Sequence, residues 1–254
     1  MVTIDQPEYF KRLADVEARH WWSLGLWKLV GYWLDDALKG RRDLLALDVG
    51  CGAGGTLRRL SGRSEISRAI GVDSSPHALA LAGKDYSLAR GSILNLPFED
   101  ESFDVVTCFD VLQHLDAGKD RTAVEEMTRV LRPGGVALVR SNAKGFSKVS
   151  NWYVSVYDFK TFRHLFQHPR LSIRRATLAN CLPAVAQEAK EKLKRFRTDS
   201  VPSSGQGLCV RVPHPWINRT MLGVANSEAI IAGKLGKRLP FGHSTLLLAT
   251  KTHA

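Results

Sequence analysis

A chain of 254 residues is long enough to bury the core of an α/β domain, and 44% hydrophobic with 24% charged residues is typical of a globular protein. The longest apolar stretch, residues 21–34, contains Lys28 and is too short to span a bilayer. It also lacks the basic start and the cleavage site of a signal peptide. These features exclude an integral membrane protein and predict a cytoplasmic one.

The net charge of +11 is unevenly distributed along the chain. Residues 1–150 contain 20 Lys and Arg against 20 Asp and Glu, whereas residues 151–254 contain 16 against 5. This asymmetry indicates either a solvated basic surface or an anionic partner of the second part.

The four cysteines predict neither a disulfide framework nor a metal site. They are widely spaced and form no C-x-x-C pair: Cys51, Cys108, Cys181 and Cys209. We expect reduced thiols that are mostly packed in the interior.

In chain order, short apolar runs alternate with segments of helical spacing. Strands are predicted at 44–49, 69–73, 86–90, 103–109, 136–141, 171–178 and 244–251. Helices are predicted at 56–60, 77–84 after Pro76, 121–131, 157–166, 180–197 and 216–235, with a loop at 198–207. Pro133, Gly134 and Gly135 are expected to separate the third helix from its strand. The alternation predicts right-handed βαβ units and a parallel sheet.

The first strand ends in Asp48 and runs into a glycine-rich turn, Gly50-Cys51-Gly52-Ala53-Gly54-Gly55. Glycines allow a sharp turn and the close approach of a ligand. The spacing fits both G-x-G-x-G and the dinucleotide pattern G-x-G-x-x-G, so the turn alone does not identify its ligand.

Four segments in the right order resemble the class I S-adenosylmethionine-dependent methyltransferases, and more narrowly the small-molecule type 11 group. They are LDVGCGAGG, AIGVDSS, GSILNLPFEDESFDVV and LRPGGVALV, within residues 44–141. The resemblance implies a Rossmann-like α/β fold, with a seven-stranded, mostly parallel sheet, helices on both faces and an antiparallel last strand. It implies S-adenosylmethionine as cofactor, S-adenosylhomocysteine as product and no metal.

The resemblance also implies which residues bind the cofactor. Asp48, Gly50, Cys51, Gly52 and Gly54 correspond to the methionine site, and Asp73 with Ser74 to the ribose site. Ser92 and Ile93 correspond to the adenine site, where the family more often has Asp at position 92. Phe109 would approach the sulfonium.

A general base is needed only when the acceptor atom carries a proton at the working pH. His114 and Asp110 follow the fourth strand, at the edge where open α/β sheets bind ligands. His114 is the best single candidate because histidine titrates near neutral pH, and His20 is a further candidate. The alternative for His114 is a role in ordering the loop or packing against the cofactor.

The segment E-x-x-H-W-W at 17–22 resembles the opening of a bacterial methyltransferase subgroup associated with secondary metabolites, sugars and surface glycans. The resemblance implies a helical lid that places Trp21 and Trp22 near the substrate. Aromatic packing against the sheet and shallow membrane contact are the alternatives.

The aromatic and basic stretch 151–166 lies where this family builds its acceptor pocket, which makes Tyr153, Tyr157 and His164 substrate candidates. The basic run within 190–197 leaves open a phosphate-bearing acceptor, a carrier protein or an anionic lipid surface. The segment 238–242 (RLPFG) is interpreted as structural.

We therefore predict one methyltransferase domain over 1–254, with a lid at 1–40, a cofactor core at 41–145 and substrate-side elements at 146–254. Its predicted function is O-, N- or C-methylation of a small molecule, such as a secondary metabolite or a sugar-containing acceptor. An RNA methyltransferase and a non-catalytic cofactor-binding partner of another enzyme are the alternatives. No recognisable RNA-binding module supports the former, and the oligomeric state is not predicted.

Overall fold

The structure, a computed structural model, describes residues 6–143, 157–181 and 212–253. Its strands are β1 (Leu44–Val49), β2 (Ile66–Asp73), β3 (Ser87–Arg90), β4 (Phe103–Phe109), β5 (Leu131–Asn142), β6 (Leu171–Ala179) and β7 (Ser244–Lys251). They form one sheet in the order β3-β2-β1-β4-β5-β7-β6. The first five strands pair in parallel, and β7 runs antiparallel to both β5 and β6. The predicted fold class and the antiparallel last strand are confirmed.

Seven α-helices lie in the described ranges: α1 (Pro7–Arg19), α2 (Trp21–Ala37), α3 (Gly55–Ser61), α4 (Pro76–Ala82), α5 (Lys119–Val130), α6 (Phe159–Leu165) and α7 (Pro215–Ala229). A short 3₁₀ turn spans Leu112–His114, and α7 continues into a π-helical turn at Ile230–Lys234. Pro76 begins α4, as predicted, and Ser75 accepts a hydrogen bond from the Ala78 amide as its N-cap.

The core has one apolar cluster on each face of the sheet, because successive strand residues point to opposite sides. Along β4, Val105 faces the cluster formed with α2, α3 and the end of α7, whereas Val106 and Cys108 face the cluster formed with α5 and α6. Trp33 of α2 is 1% exposed and donates its indole N–H to the Ala232 carbonyl, 3.2 Å away. Burying one such side chain stabilises the fold by about 1.5–3 kcal/mol.

The order of the sheet positions the site. β1 lies between β2 and β4, and their connections leave in opposite directions, so a crevice opens beyond the carboxyl ends of β1 and β4. The glycine turn, Asp73 and Phe109 all follow or close strands at this edge. The parallel topology therefore brings to one edge of the sheet residues that lie far apart in the sequence, such as Asp48 and Phe109, which are separated by 61 positions.

Two predicted boundaries are corrected. β5 begins at Leu131, not at 136, because Leu131 pairs with Phe103 of β4. Pro133 and the two glycines lie within the strand, at an irregularity in its pairing with β4. β2 begins at Ile66, three residues earlier than predicted, where Ile66 pairs with Leu44. The predicted helix 180–197 lies outside the described residues apart from Asn180 and Cys181, and the predicted loop 198–207 lies wholly outside them.

Candidate active site

The glycine turn has the left-handed backbone that its sequence predicts. Gly50, Gly52 and Gly54 have φ angles of 72°, 53° and 80°. The amides of Gly50 and Cys51 both donate to the Val72 carbonyl, which ties the turn to the end of β2. The turn is therefore held rigidly between two parallel strands.

Two of these glycines are required for different reasons. A Cβ on Gly50 would lie 2.2 Å from Cγ2 of Val111, so the loop after β4 packs directly on this backbone. A Cβ on Gly52 would meet no atom within 4 Å. The space above Gly52 is therefore open to a ligand, whereas Gly50 is enclosed by protein.

Asp73, at the end of β2, faces this turn. Its Oδ2 accepts a 2.9 Å hydrogen bond from the Gly52 amide, and its Oδ1 accepts one of 2.9 Å from the Ser75 amide. Each carboxylate oxygen has a second acceptor site, so the carboxylate can still receive two hydroxyl groups. Ser74 contributes through its carbonyl, which accepts from Nε of Arg90 at 3.3 Å.

Asp48 is the buried acid at the base of the turn, with 1% of its surface exposed. Its Oδ1 accepts a 2.7 Å hydrogen bond from the Thr107 hydroxyl. Its Oδ2 is buried and has no hydrogen-bond partner among the described residues. The Thr56 hydroxyl is near enough to lower the Asp48 pKa but does not reach hydrogen-bond geometry with Oδ2.

Burial is the main cause that raises the pKa of Asp48, from 3.8 to about 8. The hydrogen bond from Thr107 opposes this rise, and the negative charges of Glu17 and Asp73 add to it. A buried carboxyl with an unused oxygen is a site that a cationic group can complete.

The remaining predicted cofactor residues lie around this crevice. Cys51 is buried, and burial raises the pKa of its thiol, which makes it a packing residue in this turn. Ile93 is 7% exposed and belongs to the same apolar cluster as Val72. Ser92 uses its hydroxyl to accept from the Leu94 amide at 3.2 Å, which shapes the loop after β3.

Aromatic rings and arginines alternate along the opening of the crevice; we call this the aromatic–arginine stack. The Arg59 guanidinium lies 4.9 Å from the Trp27 ring, whose centroid is 5.3 Å from that of Phe109. The Arg140 guanidinium lies 5.8 Å from the Phe109 ring and 5.2 Å from the Trp22 ring. The stack joins α2, α3, β4 and β5, and such cation–π contacts stabilise by about 0.5–2 kcal/mol each.

The two predicted catalytic residues after β4 have different surroundings. Asp110 has a left-handed φ of 58°, and its carboxylate forms an ion pair with Arg140 of β5. Aspartate adopts this conformation more readily than most residues, and Asp43 shares it with a φ of 56°. His114 is half-buried at the end of the 3₁₀ turn, on the same loop as Val111. The structure thus brings Asp110 to the stack and leaves His114 on the adjoining loop.

His20 lies at the junction between α1 and α2, where it is 5% exposed. Its Nδ1 accepts from the Trp22 amide at 3.2 Å, so His20 is the N-cap of α2. Burial lowers the pKa of His20 to about 4, so the ring is neutral at physiological pH. Trp21 is 8% exposed, with its ring centroid 5.2 Å from that of His20.

Helix α1, which belongs to the predicted lid, packs on the glycine turn. Phe10 of α1 packs with Ala53 of the turn and Ala78 of α4 in a small apolar cluster. The Glu17 carbonyl accepts from the Ser23 hydroxyl at 2.8 Å and from Nη2 of Arg59 at 3.2 Å. The predicted lid at 1–40 is thus two helices in the described residues, of which α1 covers the turn.

The substrate candidates between β5 and β6 do not gather at the stack. Tyr157 is 3% exposed, and its hydroxyl donates within the protein to the Leu112 carbonyl at 3.3 Å or the Asp120 carboxylate at 3.1 Å. His164 is exposed on α6, beside a cavity whose lining shares no residue with the turn. Tyr153 and the basic run at 190–197 lie outside the described residues.

Several residues of the site were not singled out from the sequence: Glu17, Arg59, Thr107, Arg140 and Asn218. Asn218 of α7 accepts from the Trp21 amide at 2.9 Å and donates to the Arg19 carbonyl at 2.8 Å, so it fastens the α1–α2 junction. Only Glu17 had a signal, as the first residue of E-x-x-H-W-W. The others depend on contacts across elements that spacing does not reveal.

Two further features of the described ranges bear on the class of site. Their helices include none with the length and apolarity to cross a bilayer. Their His, Cys, Asp and Glu side chains form no group of three or more able to hold a metal ion. Three free thiols are buried there, Cys51, Cys108 and Cys181, whereas Cys209 lies outside.

Comparison with known families matches residues 47–139 to a family described as a methyltransferase domain. A ubiquinone/menaquinone biosynthesis C-methyltransferase of Idiomarina loihiensis is 31% identical over an alignment of 153 residues, and the match covers 56% of this chain and 59% of that protein. A tRNA (carboxymethyluridine(34)-5-O)-methyltransferase of Arabidopsis thaliana is 30% identical over 138 residues, 53% of this chain and 32% of that protein. The chain thus spans less than two thirds of the length of either relative.

Solved structures share the fold at low identity. A Haloferax volcanii methyltransferase in complex with the Trm112 activator superposes with a TM-score of 0.60, 20% identity and full coverage of both chains. A Haemonchus contortus phosphoethanolamine N-methyltransferase with bound S-adenosyl-L-methionine superposes with a TM-score of 0.55 and 19% identity, over 90% of this chain and 53% of that one.

Proposed function

Because this chain carries a class I S-adenosylmethionine-dependent methyltransferase domain at residues 47–139, we propose that it methylates a small-molecule acceptor. The predicted family and its cofactor are confirmed for this domain. S-adenosylmethionine supplies a methyl group on a sulfonium, which leaves as the neutral thioether when the new bond to the acceptor forms. The acceptor class and the residues that serve it are our proposal.

One observation carries the proposal: Asp48 and Asp73 lie at the ends of the two strands beside the glycine turn at the carboxyl edge of the sheet, where a Cβ on Gly52 would meet no protein atom within 4 Å. A bound ammonium would favour the ionised form of the buried Asp48 carboxyl, whose Oδ2 has no hydrogen-bond partner among the described residues. The Asp73 carboxylate suits a pair of ribose hydroxyls. The absence of a Cβ at Gly52 leaves room for the methionine part. The residues present therefore fit S-adenosylmethionine.

In this account the chain contributes alignment and exclusion of water more than bond chemistry. The glycine turn and the two acids orient the cofactor, and Phe109 with Trp27 forms an apolar wall beside it. Trp22, held by Arg140, extends that wall toward the acceptor. His114 would remove a proton only from an acceptor that carries one. Asp110 would act indirectly, by holding Arg140 through their ion pair.

The direct test is methyl transfer measured as S-adenosylhomocysteine formation over a panel of quinols, phenols, sugars, amines and carboxylates. The wild type should produce the thioether with at least one acceptor class, and Asp73→Ala should lose cofactor binding. For an acceptor with an ionisable hydroxyl, His114→Asn should lower kcat by about 10²- to 10⁴-fold if His114 is the base. A change below threefold would assign His114 to the loop instead.

RNA methylation is the second candidate, and two observations favour it. Residues 151–254 contain 16 basic against 5 acidic residues, and one relative is named as a tRNA methyltransferase. The competing test is filter binding of total tRNA at increasing salt. Tight binding that falls steeply with salt, together with methyl incorporation into RNA, would replace the small-molecule proposal.

A non-catalytic, cofactor-binding partner of another enzyme remains the third reading. The neighbour from Haloferax volcanii was solved with an activator protein, so assembly with a partner is a property of that relative. Cofactor binding without turnover over the whole acceptor panel would favour this role. Co-purification with a second enzyme whose activity depends on this chain would then establish it.

A further inference from the structure

The lid helix α1 brings a third acid to the glycine turn. Gly55 closes the turn, and a Cβ at that position would lie 2.3 Å from Oε2 of Glu17. Any other residue at position 55 would displace the Glu17 carboxylate. The absent Cβ of Gly55 therefore makes room for Glu17 beside the cofactor crevice.

Glu17, Asp48 and Asp73 act on one another electrostatically. The negative charges of Glu17 and Asp73 both raise the pKa of Asp48, so both carboxyl groups lie within electrostatic range of it. Asp48 contributes the buried Oδ2 that has no hydrogen-bond partner in the described part of the chain. Mutual repulsion and burial make the ionised forms of these acids unfavourable in the empty crevice, and a bound cation makes them favourable.

Arginines act on Glu17 in the opposite sense to burial. Burial is the main cause that raises the pKa of Glu17, and the positive charges of Arg140, Arg59 and Arg58 oppose that rise. Arg59 and Arg140 also belong to the aromatic–arginine stack, next to Phe109. Without Glu17 their charges would be less compensated at Phe109, where the sulfonium of the proposed cofactor would lie.

The two forms of the cofactor differ by one unit of charge. S-adenosylmethionine carries a sulfonium, an ammonium and a carboxylate, for a net charge of +1. S-adenosylhomocysteine has lost the sulfonium and is neutral overall. A carboxylate in a poorly solvated crevice distinguishes these two ligands by their charge, because Coulomb interactions strengthen as water is excluded.

We propose that Glu17, presented by the lid helix α1, selects the cationic cofactor over its neutral product by offsetting the arginines of the stack. The inference rests on the proposed function, since it requires S-adenosylmethionine in this crevice. Glu17 acts as a positioning and charge-balancing residue and takes no part in bond making. Loss of the sulfonium charge on methyl transfer weakens the hold of the lid, which favours release of the product.

The test is calorimetric titration of both ligands into the wild type, Glu17→Gln and the matched control Asp15→Asn. Asp15 lies on the same helix, and its side chain is 48% exposed in an ion pair with Arg19. Glu17→Gln should weaken S-adenosylmethionine binding about tenfold and S-adenosylhomocysteine binding less than about threefold. Asp15→Asn should change neither by more than about twofold. An equal loss for both ligands, or no loss, would overturn the inference.

A second variant keeps the test independent of damage to the lid. Arg58 is exposed on α3, and Arg58→Gln removes one of the positive charges that act on Glu17. In Arg58→Gln the ratio of the affinity for S-adenosylmethionine to that for S-adenosylhomocysteine should rise, whereas in Glu17→Gln the same ratio should fall. A fall in that ratio would also overturn the inference. If the wild type binds neither ligand, it is the proposed function that fails.

Discussion

The hydroxyl of Thr107 donates a 2.7 Å hydrogen bond to Oδ1 of Asp48, across the neighbouring strands β4 and β1. This contact fixes a fully buried carboxyl at the base of the glycine turn and leaves its Oδ2 without a hydrogen-bond partner among the described residues. The cost of that arrangement is visible in the pKa of Asp48, which burial raises from 3.8 to about 8.

The first prediction is a pH dependence of folding that originates at Asp48. Between pH 4 and pH 8 the folded protein retains the Asp48 proton while the unfolded chain has lost it, so stability falls as pH rises. Asp48→Asn should remove this contribution in the cofactor-free protein. Urea unfolding of the two proteins should show a difference that grows with pH, by at most about 1.4 kcal/mol per unit.

An exposed control separates this effect from a general change of charge. Asp85→Asn, on the surface loop before β3, should leave the pH dependence of unfolding as in the wild type. If the free energy of unfolding of the wild type and of Asp48→Asn varied in parallel from pH 4 to pH 8, Asp48 would not be protonated in the folded protein.

The second prediction concerns Gly52. Its φ is 53° and a Cβ there would meet no protein atom within 4 Å, and Gly40 has the same properties with a φ of 76°. Gly52→Ala and Gly40→Ala should therefore each destabilise the fold by about 1 kcal/mol. Only Gly52→Ala should weaken S-adenosylmethionine binding, by tenfold or more, because its methyl group enters the ligand space. Equal affinities in the two variants would place the cofactor elsewhere.

The third prediction tests the packing of α2 on α7. A Cβ on Gly25 would lie 2.4 Å from that of Ala225, whereas a Cβ on Gly31 of the same helix would meet nothing within 4 Å. Gly25→Ala should cost about 1–3 kcal/mol of stability by overpacking. Gly31→Ala should stabilise by about 0.5–1 kcal/mol, as alanine does in a helix interior. Thermal unfolding of both variants measures the contrast, and similar melting temperatures would contradict the close α2–α7 contact.

The fourth prediction concerns the fastening of the lid. Asn218 bonds to the backbone on both sides of the α1–α2 junction, so Asn218→Ala removes two hydrogen bonds at the point where α1 departs from α2. Amide hydrogen exchange of α1 should accelerate, with a loss of about 1–3 kcal/mol in local stability. Ser227→Ala on the same helix removes only a bond to the Gly223 carbonyl and should leave α1 unchanged. Unaltered exchange in Asn218→Ala would show that other contacts hold the lid.

Much of the fold could be predicted because its parallel strands are continuous apolar runs. β4 was predicted with its observed bounds, since FDVVTCF lies between Ser102 and Asp110 and is almost fully buried. β5 could not be delimited, because Pro133 and Gly134 are turn residues by sequence, and only the pairing of Leu131 with Phe103 extends the strand across them.

The site residues that belong to a local sequence motif could be predicted, whereas those that separate elements bring to the site could not. Asp48, the glycines and Asp73 are local to strand ends, so their placement followed from motif and topology. Thr107, Arg140 and Glu17 reach the same crevice from three other elements, which single-sequence spacing cannot express. For Tyr157, sequence did not reveal that its hydroxyl would be used within the core.

Calorimetric titration of S-adenosylmethionine, S-adenosylhomocysteine, NAD and NADP into the wild type and Asp73→Ala determines which cofactor the glycine turn binds. Asp73 is predicted to hold both ribose hydroxyls while its backbone contacts order the turn. Our expectation is that the first two ligands bind at one site, that Asp73→Ala loses them, and that neither nicotinamide nucleotide binds. Binding of a nicotinamide nucleotide without S-adenosylmethionine would contradict it and would assign the glycine turn to a dehydrogenase.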